Sequence, residues 1–88
     1  MGQIVKDKNK MEVYLEKIDE NIDFFIERHF LFEEDGEDLN INDFYEIINS
    51  LEEMKSIIKN DGVVLKTFFD RTLNEMEKFK KEVNLIYI

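Results

Sequence analysis

No proline occurs anywhere in the chain, and its three glycines, Gly2, Gly36 and Gly62, all fall where apolar spacing breaks. Between those breaks the apolar residues recur at i, i+3, i+4 and i+7, the period that gives a helix one buried face. The first series is Met11, Tyr14, Leu15, Ile18, Ile22, Phe25, Ile26 and His29, with Asn9 and Glu12 in capping-box positions ahead of it. The second is Phe44, Ile47, Ile48, Leu51, Met54 and Ile58, with Asn40 as N-cap, Asp43 at N3, and Leu39 and Phe44 as a hydrophobic staple. The third is Leu65, Phe68, Phe69, Thr72, Leu73, Met76, Phe79 and Val83. Only Asn60-Asp61-Gly62 separates the last two, a joint short enough to make them antiparallel. The spacing predicts an all-α domain over residues 1–88: a small antiparallel three-helix bundle with helices at about 10–32, 41–59 and 63–85 behind a short extension at 1–9. Ile18, Ile22, Phe25, Leu51, Met54, Phe68, Leu73, Met76 and Phe79 are its expected core.

A chain of 88 residues buries roughly 60–65% of its unfolded surface, so its stability rests on efficient packing. Its 43% hydrophobic content, eight Phe included, supports a core despite 38% charge. The absence of cysteine excludes disulfides and thiolate metal sites and fits a reducing compartment. No apolar run approaches the ~20 residues of a membrane span. The opening MGQIVKDKNK has no secretory apolar segment, and Lys6 stands where a myristoylation motif needs Ser or Thr. The expectation is a cytoplasmic protein without membrane contact.

Residues that could carry catalysis are sparse. His29, the one histidine, falls on the apolar face of the first helix, where packing is its expected role. Ser50 and Ser56 sit mid-helix beside no recognisable base, and no glycine-rich loop is present to cradle a phosphate. The stretch EEDGED, residues 33–38, invites comparison with a calcium loop. With Gly36 at position 6, however, Leu31 takes position 1, Asp38 the apolar position 8 and Asn42 position 12, so the first and last ligands are missing. The expectation is a protein that is not an enzyme and has no cofactor and no dedicated metal site. A net charge of −9 repels phosphate, which argues against direct nucleic-acid binding.

The acidity is unevenly spread. Residues 12–53 hold fifteen acids against Lys17 and Arg28 alone, a formal −13, whereas the flanking segments are each slightly basic. Glu12, Glu16, Asp19, Asp23 and Glu27 follow one another at spacings of 4, 3, 4 and 4, which at about 100° per residue makes one ridge. Like charges at i, i+4 destabilise a helix by about 0.2–0.5 kcal/mol, so stability alone does not favour such a row. Four residues rise ~6 Å, a repeat comparable to phosphate spacing along a nucleic-acid strand. Glu33, Glu34, Asp35, Glu37 and Asp38 would prolong the ridge beyond the helix, and Asp43 would close it. The bland counterpart is a solvated face that aids solubility.

Val13, Phe24 and Leu31 form a second apolar line on the first helix, which means either a wider buried face or an interface. The terminal LIYI adds apolar surface that could pack back or pair between chains. In size, acidity and helix content, though by no motif, the chain resembles the small acidic proteins with which phages and mobile elements block host nucleic-acid-binding enzymes, anti-CRISPR proteins among them. That resemblance implies carboxylates offered in place of phosphates to the basic surface of a nucleic-acid-binding protein or nuclease. The competing expectation is a structural, adaptor, immunity or antitoxin-type bundle, possible as a homodimer, acting through the Val13–Phe24–Leu31 line.

Overall fold

Asp7 begins the first long helix. Its backbone is extended, and its carboxylate accepts the amides of Asn9 at 2.8 Å and Lys10 at 3.3 Å, filling the N-cap role predicted for Asn9. The computed structural model describes residues 4–33 and 40–87. Along them run β1 (Ile4–Val5), α1 (Lys8–Glu27), α2 (His29–Glu33), α3 (Ile41–Asp61), β2 (Val64–Leu65) and α4 (Lys66–Tyr87). The chain is thus predominantly helical, as its periodicity predicts, with a short second helix and a two-stranded ribbon that the periodicity did not indicate.

The helix predicted over 10–32 is broken at Arg28. Its amide bonds back to Phe25 O at 3.2 Å, and Leu31 N bonds to Arg28 O at 3.0 Å, a tightened turn between α1 and α2. No glycine or proline marks this break. Arg28 itself holds it: Nη1 donates to Phe24 O at 3.2 Å, and the guanidinium lies 3.9 Å from the Phe24 ring centre. α3 begins where expected, with Asn40 Oδ1 accepting Asp43 N at 3.1 Å. It ends at Gly62, whose left-handed backbone (φ 64°) lets its amide reach Ile58 O at 3.0 Å. Leu39, the other half of the expected staple, lies outside the described residues.

The predicted N-terminal extension is in part a strand. Ile4 pairs with Leu65 and Val5 with Val64, antiparallel, so the start of the chain is tied to the α3–α4 connection. Residues 63–65, expected as the first turn of the last helix, lie outside it: Val64 and Leu65 form a strand instead, and Val64 is fully buried. A two-residue ladder is too short to leave an alternating pattern in the sequence.

Cross-helix pairs give the helix directions. Asp19 meets Lys55 and His29 meets Phe44, so α3 runs antiparallel to α1. Tyr14 meets Asp70 and Phe25 meets Phe79, so α4 runs parallel to it. The core includes Ile18, Phe25, Leu51, Met54, Phe69 and Val83, all inaccessible to solvent. Phe25, Phe32, Phe44 and Phe79 stack at one end, with ring centres 5.5–6.4 Å apart. Two core expectations need correction: Phe69 is buried where Phe68 was predicted, and Phe68 and Phe79 are half-buried. No helix among the described residues is long and apolar enough to cross a membrane.

Candidate functional site

Glu12, Glu16, Asp19, Asp23 and Glu27 all lie exposed along α1. Ile18, Ile22 and Phe25 point inward, which turns the acidic row toward the outer edge of α1 on the α3 side. Glu12, Glu16 and Asp23 make no ion pair among the described residues, and Glu27 is loosely paired with Arg28 at 3.7 Å. Asp19 differs from the rest: it accepts Lys55 Nζ from α3 at 2.8 Å. That hydrogen bond, and then the charge of Asp19, holds the Lys55 ammonium above the usual lysine range, with Glu52 and Asp23 adding to the field. Glu52 is therefore part of the same anionic surface, contributed by α3. Its signal in the sequence is its place one turn before Lys55 on α3.

The rest of the expected site is divided. Glu33 ends α2 and pairs with His29 Nε2 at 3.1 Å. Glu34, Asp35, Glu37 and Asp38 lie outside the described residues. Asp43 does not continue the α1 row; it stands on the opposite edge of α3 from Lys55 and faces α4. Of the apolar line, only Val13 is exposed, at 50%, while Phe24 and Leu31 are half-buried against the core. Lys80 of α4 sits 5.1 Å from the Phe24 ring, so this line widens the buried face of α1 toward α4. Leu85 of the terminal apolar run is exposed at 75%.

A polar contact absent from the sequence reading joins α1 to α4. Tyr14 donates its phenolic hydrogen to Asp70 Oδ1 at 2.5 Å, and Lys66 donates to Oδ2 at 2.6 Å. Burial pushes the Tyr14 phenol up to about 12, and the bond to Asp70 and that carboxylate's charge add to the shift. Asp70 is held below the usual carboxylate range, first by the bond from Lys66 and then by that from Tyr14. Asn21 is a second unforeseen feature. It is only 2% exposed, and its amide donates to Lys17 O at 2.7 Å while its own carbonyl oxygen has no hydrogen-bond partner among the described residues.

The backbones of α1 and α3 approach closely along their length, whereas those of α3 and α4 hardly do. A groove of about 310 Å³ opens between the latter pair, with Asp43, Glu46 and Glu75 among its lining. Among the described residues no cluster of His, Asp and Glu has the arrangement to hold a metal ion. His29 is half-buried, its ring 4.9 Å from that of Phe44 and its Nε2 3.1 Å from Glu33 Oε1. Its surroundings are those of a residue at the edge of the core. No protein-family model, curated protein or solved structure matches the chain.

Proposed function

We propose that this is a non-enzymatic binding protein whose α1 row of carboxylates occupies the basic groove of a nucleic-acid-binding partner, in the manner of an inhibitor that imitates nucleic acid. The observation that carries the reading is the state of Glu12, Glu16 and Asp23: exposed, regularly spaced along one helix and without ion pairs among the described residues. In this reading α1, α3 and α4 act as one three-helix bundle in the cytoplasm, and α3 adds Glu52 to the surface. An adaptor or homodimer role is the second reading. It is favoured by Ile26 of α1 and Phe30 of α2, on either side of the break at Arg28 and exposed at 54% and 46%.

The test is capture of partners from a plausible host lysate, followed by competition. The mimic reading expects a nucleic-acid-binding protein that duplex oligonucleotide displaces, that leaves steeply as salt rises, and that a Glu12→Lys, Glu16→Lys, Asp23→Lys variant fails to capture. Asp19 is kept because Lys55 depends on it. Glu82→Lys on α4 serves as control, being exposed and without an ion pair among the described residues. Capture that is indifferent to salt, to oligonucleotide and to the triple change would remove the mimic reading and leave the apolar one.

A further inference from the structure

The groove between α3 and α4 sets two chemistries side by side. Its floor is apolar, made by Ile47 of α3 with Met76 and Phe79 of α4. Its rim carries Asp43 and Glu46 from one helix and Glu75 from the other, with the hydroxyls of Ser50 and Thr72 between. None of the three carboxylates makes an ion pair among the described residues, and no cation lines the groove.

We propose that this groove is a docking site for an arginine-bearing segment of a partner protein. An apolar occupant alone would cover Ile47 and Met76 but leave the neighbouring carboxylates partly desolvated without a partner, which offsets what the floor returns. An anionic occupant is repelled. Arginine matches both parts: its methylene stem lies along apolar surface, its planar cation stacks on an aromatic ring such as Phe79, and its forked donors span carboxylates on two helices. Lysine offers the stem but only a point charge. At about 310 Å³ the groove is at the small end of ligand sites, which suits one or two side chains rather than a folded surface. It is formed by the edge of α3 turned away from Lys55, so it does not depend on the α1 row.

The test is a titration of the full chain, ¹⁵N-labelled, with a capped pentapeptide alternating leucine and arginine, against versions carrying lysine or uncharged citrulline in place of arginine. Saturable shifts are expected at Ile47, Ser50, Thr72, Glu75 and Met76, with citrulline weaker by at least about tenfold and lysine between the two. A Glu46→Gln, Glu75→Gln variant should lose the saturable shifts, whereas Glu82→Gln and the α1 triple variant should keep them. Both glutamates are exposed, and a dispersed spectrum verifies the fold; should the double variant lose it, Glu46→Gln alone is read. Shifts that spread over α1 without saturating, equal response to citrulline, or an unchanged double variant would overturn the proposal. The same shifts appearing with protein concentration alone would overturn it too, and would assign the groove to a second copy of this chain.

Discussion

α1 and α4 have 20 and 22 residues, run side by side in the same direction and bury similar apolar faces, yet they treat charge in opposite ways. α4 neutralises itself: Lys66 reaches Asp70 one turn on, and Lys80 reaches Glu77. Along the body of α1, the one cross-helix neutralisation of its row among the described residues is Lys55, brought from α3 to Asp19. A helix of the α4 kind gains a few tenths of a kcal/mol from each such pair, and a helix of the α1 kind loses a similar amount at each like-charge step. α1 therefore depends on its buried face for stability to a degree that α4 does not. The contrast separates two ways of carrying charge on neighbouring helices, and each part of it can be tested.

The largest effect expected is at the shared interior. Phe25→Ala removes an inaccessible ring that touches Phe32 and Phe79, and should cost about 3–5 kcal/mol in urea unfolding, enough to unfold much of a domain this size. A loss under about 1 kcal/mol would show that α1 does not rely on that face. Next is the polar joint between the two helices. Tyr14→Phe should cost about 0.5–1.5 kcal/mol by removing the donor to Asp70. The pH dependence follows from the same joint. Asp70 has a lowered folded value, so its contribution is complete above the ordinary carboxylate range, near 3.9, and disappears as pH falls through the folded value. Tyr14 has a raised one, so its contribution is intact below about 10 and is lost as pH climbs toward 12. Melting temperatures across both ranges should slope in those directions, and in Tyr14→Phe the alkaline loss should shrink.

Smaller still is the local pairing on α4: Lys80→Ala should lower stability by about 0.2–0.5 kcal/mol, less at high salt. Smallest is the change at the acidic row. Glu12→Lys, Glu16→Lys, Asp23→Lys should melt no lower than the parent, because relief of like-charge steps offsets the new repulsion between residue 23 and Lys55. A fall of several degrees would mean the row stabilises the fold, and the contrast between α1 and α4 would then be one of packing alone. The same charge reversals at Glu75 and Glu77 are a poor control, since Glu75 lines the groove and Glu77 holds Lys80.

Much of the architecture is determined by local pattern. Ile18, Ile22, Phe25, Leu51, Met54, Leu73 and Met76 recur at helical spacing, and each is buried. Asn40 and Gly62 mark their helix ends because capping is a matter of a few neighbouring backbone groups. Phe32 was also within reach of the pattern, seven residues after Phe25, and it is a buried member of the aromatic stack. The exposure of the α1 carboxylates follows from the same periodicity, since the residues opposite a buried stripe face water.

Other features left no trace in that periodicity, and most of them depended on residues distant in the chain. The break at Arg28 comes from a side chain capping its own helix over Phe24, with no glycine or proline to announce it. The Ile4–Val5 strand exists because Val64 and Leu65 lie beside it, sixty residues away in sequence. Tyr14 and Asp70, or Asp19 and Lys55, become partners only once the helices are placed. The groove likewise arises from the distance between α3 and α4, and Asp43, on the edge of α3 that faces α4, lies there rather than on the expected acidic ridge. Helical periodicity fixes which face of each segment is buried, because that is set within a few turns of one chain. Which faces meet, and how closely, is decided by side-chain volumes summed across helices, and one local pattern is compatible with several such packings.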